Sequence, residues 1–160
     1  MTSDYIEEFS SSFSIDPKTT ALVVVDLQYA TGSPTHGLGN ILREQGRLEE
    51  ADYRFSRIQR HILPNTQRLL STFRESGAPV IYVTYGAEHA DCSDVPLHIR
   101  GIVKATNNIE GQREHEIVEA IAPKAGETVL NKVTMGAFAS TGIESRLRAM
   151  EISNIVTVGV

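Results

Sequence analysis

Ala21-Leu-Val-Val-Val-Asp-Leu-Gln28 is the stretch on which the fold turns. Five apolar residues run together, rich in valine, with no polar residue between them. A strand with one wet face would alternate polar and apolar positions. An unbroken β-branched run instead suits a strand covered on both faces, the situation of a parallel sheet between helices. The run then ends abruptly on the carboxylate of Asp26.

On the N-terminal side, residues 1–18 carry turn and cap formers and read as a loose lead-in to a single domain over 19–160. On the C-terminal side comes Thr31-Gly-Ser-Pro-Thr-His-Gly-Leu-Gly-Asn40, expected to be a loop without regular structure. From about Leu48 to Ser76 the apolar spacing is helical, first through Phe55, Ile58 and Ile62 and then through Leu69, Leu70 and Phe73. Pro64 falls between the two sets, and proline fits the first turn of a helix but not its interior, so two helices or one sharp kink are expected. Gly77 and Pro79 then lead into the strand Val80–Thr84. Tyr85–Gly111 is polar with little periodicity. Arg113–Glu127 regains helical spacing at Ile117 and Ile121 and is closed by Pro123 and Gly126. Thr128–Lys132 reads as a short strand. A Thr141-x-x-Glu144 capping box opens a helix through Ile143, Leu147 and Met150, and Asn154–Val160 is the last strand. Strands alternating with helices require right-handed crossovers. The fold class is therefore α/β, a three-layer α/β/α sandwich with a mostly parallel sheet.

The totals exclude several classes of function. The chain has 160 residues, 41% apolar and 22% charged, with a net charge of -5 and no stripe of Lys or Arg. That argues against nucleic acid as a partner. No apolar run reaches the length of a membrane span, and the acidic, polar N-terminus is the opposite of a secretory signal. The single cysteine, Cys92 in His-Ala-Asp-Cys-Ser-Asp, fits a reducing, cytoplasmic setting and reads as an incidental loop thiol. No C-x-x-C, H-E-x-x-H or EF-hand spacing occurs. His89 and His98, with Asp91 and Asp94 between them, read as part of a polar loop shaping substrate access. His36 reads as solvent-facing. No metal and no cofactor is expected.

In open parallel sheets the ligand site lies beyond the carboxyl ends of the strands. The residues there are Asp26, Thr84, Tyr85 and Lys132. A carboxylate at the mouth of an apolar strand is costly unless it is paired or used, and Lys132 ends another strand in the same way. If both strands are central, the two side chains meet on one rim. A carboxylate so placed can take a proton from a nucleophile, and an ammonium can favour a thiolate and a developing oxyanion. Neither forms a covalent intermediate readily, so the pair calls for a third member. A dinucleotide fingerprint is excluded, because Gly37-Leu-Gly39 comes about ten residues late and lacks its third glycine. A phospho-acceptor aspartate would need a second acid nearby, and the four residues on either side of Asp26 hold none.

Val23–Gln28, Leu63–Val83 and Ala122–Val160, taken together, resemble the isochorismatase-like hydrolases, or cysteine hydrolases. The resemblance covers roughly residues 19 to 160 and implies that Asp26 is the catalytic acid/base and Lys132 the catalytic lysine. The family's K-x-x-x-S-A-F is here Lys132 to Phe138, with Gly136 in place of the serine. Gln28 matches the D-x-Q element, and Tyr29 stands where an aromatic wall is usual. Gln28, Tyr29, Tyr85 and Phe138 are the implied substrate contacts. The family's G-V-x-T-x-x-C-V begins at Gly159-Val160, which places the nucleophilic cysteine about five residues past Val160 and makes the chain a truncated copy. The implied function is cleavage of a C–N bond in a small amide, ureido or carbamoyl compound by an Asp-Lys-Cys triad. Vinyl-ether hydrolysis by the aspartate, or an inactive fragment used in binding or assembly, are the alternatives. A homo-oligomer, dimer or tetramer, is implied as well.

Overall fold

Four parallel strands form one sheet in the order β3-β2-β1-β4, with β1 at Thr20–Val25, β2 at Val80–Tyr85, β3 at Thr128–Lys132 and β4 at Asn154–Gly159. This is a computed structural model, and the residues it describes are 15–160. Most of the expected lead-in, residues 1–14, lies outside the described residues. The three-layer α/β reading holds.

Both faces of the central strands are buried, which is why the first strand reads as an unbroken apolar run. Leu22, Val24, Val80 and Tyr82 pack with Ile58, Leu70 and Phe73 on one side. Ala21, Val23, Ile81 and Val83 pack with Ile143 and Leu147 on the other. Burying such side chains contributes about 1.5–3 kcal/mol each. Tyr82 is wholly buried, and its hydroxyl donates to the Ile121 carbonyl at 2.8 Å, so the phenol leaves no polar group unsatisfied.

Two α-helices lie around Pro64, and helical backbone runs on between them. Asp52–Arg57 (α3) and Leu63–Glu75 (α4) are joined by a π-helical turn, Ile58–Ile62, in which the Leu63 N–H reaches back five residues to the Ile58 carbonyl. Pro64 then sits in the first turn of α4, where its missing N–H does no harm.

Four expectations are corrected. The segment after β1 is not an unstructured loop: Tyr29–Gly32 (α1) and Gly37–Glu44 (α2) are helical. Gly37 and Gly39 allow this, since a Cβ at either would stand 2.3 and 2.4 Å from the backbone of Ala30 and Pro34. Within the polar stretch, Leu97–Ala105 forms a helix, α5. Conversely, Arg113–Glu127 is not a helix but two single 3₁₀ turns, Arg113–His115 and Glu119–Ile121. Its backbone is taken by the chain beyond β1, with the Tyr29 N–H on Glu116 and the Val118 N–H on Leu27, both at 3.0 Å. Tertiary hydrogen bonds there outweigh local periodicity. Finally, the capping box is half-formed. Thr141 Oγ1 accepts from the Ile143 N–H at 3.2 Å, ahead of Ile143–Ala149 (α7) and after the short helix Ala137–Ser140 (α6). Glu144 turns instead to Arg148. Among the described residues no helix is long and apolar enough to cross a membrane.

Candidate active site

The register of the sheet brings the strand ends to one rim. Val25 lies beside Val83 of β2 and Gly159 of β4, and Tyr85 beside Lys132 of β3. Asp26 follows β1 directly and adopts a left-handed backbone, φ 55°. An L-residue pays for that conformation in steric strain, which structures retain chiefly at functional positions. Its N–H is held by the Val83 carbonyl at 2.9 Å, so the turn is fixed to the neighbouring strand.

Lys132 Nζ donates to Asp26 Oδ2 at 2.8 Å, although the two residues are 106 positions apart. The lysine side chain is 4% exposed and the aspartate 24%. Lysine is rarely buried so far without a partner; here it has two, since its ammonium also stands 4.4 Å from the centroid of the Tyr85 ring. Burial pushes the Asp26 carboxyl above its ordinary range, and the hydrogen bond and charge of Lys132 pull it down without overcoming that effect. Asp26 Oδ1 is buried with no hydrogen-bond partner, as is the Tyr85 hydroxyl. A buried acceptor left open beside an ion pair is a position for an incoming proton donor.

Asp26, Tyr85 and Lys132 lie in the wall of a cavity of about 170 Å³, whose other walls are Thr31, Ile99, Ile102, Val103, Thr106, Asn108 and Met135. Sequence reasoning found Asp26, Tyr85 and Lys132 and missed the α5 face. Its signal was present, because residues 99, 102, 103 and 106 share one side of a helix, but the polar residues around Cys92 and Pro96 masked it.

Gln28 is not among the cavity walls and braces the backbone beside them. It is 2% exposed, its Nε2 donates to the carbonyls of Tyr85 at 3.0 Å and His115 at 2.6 Å, and its Oε1 accepts the Tyr85 N–H at 2.8 Å. Asn108 Nδ2 adds a bond to the Tyr85 carbonyl at 2.7 Å. The backbone of Tyr85 is thereby clamped, and with it the ring beneath Lys132. Tyr29 does not line the cavity either. Its hydroxyl accepts from Arg113 at 2.8 Å and from the Glu119 N–H at 3.1 Å, and the Arg113 guanidinium lies over its ring at 4.0 Å. Phe138 is 56% exposed on α6 and is not among the cavity walls.

Cys92 is not a loose loop thiol. It is buried with Ala87, Val95 and Val103, and burial, then the charge of Asp94, push its pKa up. Such a thiol is inert rather than nucleophilic. His89 and His98 are exposed, while His36 is half-buried, its Nδ1 sharing hydrogen bonds with Ser33 and Thr35. Among the described residues no three His, Cys, Asp or Glu side chains converge to hold a metal ion.

The chain and its fold have counterparts among known proteins. The Isochorismatase domain matches residues 20–160, and the chain belongs to that family. The ureidoacrylate amidohydrolase RutB of Caulobacter segnis is 26% identical over 160 residues, which cover 91% of this chain and 62% of that protein. Among solved structures, a cysteine hydrolase from Pseudomonas syringae pv. phaseolicola superposes with a TM-score of 0.68 at 25% identity, covering 93% of this chain and 62% of the other. N-carbamoylsarcosine amidase from Thermoplasma acidophilum does so at 0.62 and 28% identity, covering 88% and 67%. The chain spans less than two thirds of the length of the curated relative.

Proposed function

We propose that this chain provides the acid/base half of an amidohydrolase site that cleaves a C–N bond in a small non-peptide amide, ureido or carbamoyl compound. The observation that carries the reading is the Asp26–Lys132 pair at 2.8 Å, with Asp26 Oδ1 buried and open beside it. The names of two similar proteins, an amidohydrolase and an amidase, agree with it.

The third member in this reading is a thiol from a segment following Val160. The Val160 N–H donates to the Val25 carbonyl at 3.3 Å, so a continuing chain leaves β4 next to Asp26. Asp26 Oδ1 takes the thiol proton, and Lys132 steadies both the carboxylate and the thiolate. The sulfur attacks the carbonyl carbon, a tetrahedral oxyanion forms, and the leaving nitrogen recovers the proton from Asp26. Water, deprotonated by Asp26, then releases the acid. An aspartate whose pKa is raised above the ordinary range suits such two-way transfer better than an ordinary one.

Ammonia or amine release from a panel of small amides and ureas, by the full reading frame containing this chain, is the test. Asp26→Asn and Lys132→Ala should each lower kcat/KM by about 10²–10⁴. Retention of activity in either variant would remove the assignment. Vinyl-ether hydrolysis is the second reading, favoured by the raised pKa of Asp26, which suits a proton donor beside Lys132. It requires Asp26 as a proton donor and no thiol, and release of a keto acid without ammonia would select it.

A further inference from the structure

The rim pair explains a reaction type but not a ligand, and the cavity walls carry information that the pair does not. Among the described residues its charged members are Asp26 and Lys132, and these are bonded to each other. The rest of the wall is dominated by Ile99, Ile102 and Val103 from one face of α5, with Met135 opposite. Arg100, the guanidinium on α5, does not serve the cavity. It donates to the carbonyls of Ser93 at 2.8 Å and Val95 at 3.1 Å, which ties it to the preceding loop. The polar groups of Thr106 and Asn108 are occupied too, by the Ile102 carbonyl at 2.8 Å and the Tyr85 carbonyl at 2.7 Å.

From this we infer that the part of the site this chain builds selects small neutral amides or ureas bearing an uncharged, apolar substituent, and that the α5 face is the element that sets this preference. The inference rests on the hydrolase reading for the placement of the reacting group, but it concerns what the walls accept. A carboxylate on the substrate would have to take Lys132 from Asp26, rest its full charge on the neutral Tyr85 hydroxyl alone, or stand unpaired against isoleucine and methionine. All are unfavourable. An alkyl or aryl group finds matching walls instead. The volume sets its size: an apolar cavity of about 150 Å³ holds a benzene, so about 170 Å³ takes one small ring or a branched chain of similar bulk. Ureidoacrylate, the acid named for the relative from Caulobacter segnis, carries the charge that these walls lack a partner for.

The experiment separates binding from turnover. Ligand-observed NMR on the 160-residue chain compares butanamide and benzamide with succinamate, which is butanamide with its terminal methyl replaced by a carboxylate. The neutral ligands should bind about tenfold more tightly or better. Ile102 is 45% exposed and Met135 65%, so Ile102→Arg and Met135→Lys place a cation at the mouth with little risk to folding. Each should tighten succinamate and narrow or reverse the order. Succinamate binding as well as butanamide, neutral amides failing to bind at all, or an order unchanged in both variants would overturn the inference. Preferential binding of neutral amides without ammonia release in the full reading frame would sink the hydrolase reading and leave this specificity intact. Preferred hydrolysis of a carboxylated ureido acid would do the reverse.

Discussion

At the scale of single residues, the balance at Asp26 is the most informative quantity in the molecule. Burial raises its pKa, and Lys132 lowers it through both a hydrogen bond and charge. Lys132→Met removes both lowering effects, so the carboxyl should titrate at a higher pH still, as read by carbon NMR of labelled aspartate. The sign for stability follows. A carboxyl whose folded pKa lies above its unfolded value stabilises the fold below the ordinary value of 3.8 and loses that contribution as pH rises through the folded pKa. The variant should therefore be penalised more at pH 8 than at pH 4, by about 1–3 kcal/mol given the partial exposure of the carboxylate. An unchanged titration would mean that the 2.8 Å contact is not what governs this group. That these two side chains meet was legible in the sequence because both stand at strand ends, which a parallel sheet brings to one rim. Gln28 was legible only as part of a motif. Its task of holding Tyr85 depends on which carbonyls the fold brings near, and no spacing encodes that.

At the scale of elements, local periodicity succeeded where packing demanded nothing else of the backbone and failed where it did. The four strands and the long helix kept their places because their apolar spacing matches the faces they bury. Arg113–Glu127 had the spacing of a helix and became two turns, since the chain after β1 claims its N–H and carbonyl groups while Ile121 is still buried. α5 shows the opposite case, a helix whose apolar stripe faces the cavity and not the main core, and which short polar flanks concealed. One ion pair ties such elements together. Arg74 of α4 clasps Glu127, just before β3, at 2.7 and 2.9 Å, and it also donates to Tyr82 at 3.2 Å. Burial alone would raise the Glu127 carboxyl, but the Arg74 hydrogen bond, the Lys124 N–H and the nearby positive charges together hold it below the ordinary range. Its contribution is therefore complete above the ordinary value of 4.5 and fades as pH falls through the lower, folded one. Glu127→Gln should cost about 1–2 kcal/mol in urea unfolding at pH 7, allowing for partial exposure. The deficit should shrink toward nothing well below pH 4.5. A deficit that persists in acid would assign the loss to shape instead of charge.

At the scale of the whole molecule, two exposed surfaces compete to explain how the chain would associate, and they predict different outcomes. One is β4, which pairs with β1 along one side and, among the described residues, with no strand along the other. Ile155 is 42% exposed on it and Val160, just after it, 41%. An open edge of this kind templates further strand pairing, and natural sheets usually blunt it with charge; Asn154–Val160 carries none. The other surface is the apolar mouth of the cavity, where Ile102 is 45% and Met135 65% exposed. Backbone pairing at the edge depends little on which side chain is apolar, whereas contact at the mouth depends on side chains alone. The greater hazard lies at the edge, because its unpaired N–H and carbonyl groups gain directional bonds that the mouth cannot offer. The 160-residue chain should therefore self-associate as its concentration rises in sedimentation velocity. Thr157→Lys, an exposed position on β4, should suppress the association, and Met135→Lys should leave it largely unchanged. Suppression by Met135→Lys alone would transfer the contact to the mouth of the site. Association would then compete with ligand, and butanamide at saturating concentration would shift the sedimentation profile toward monomer.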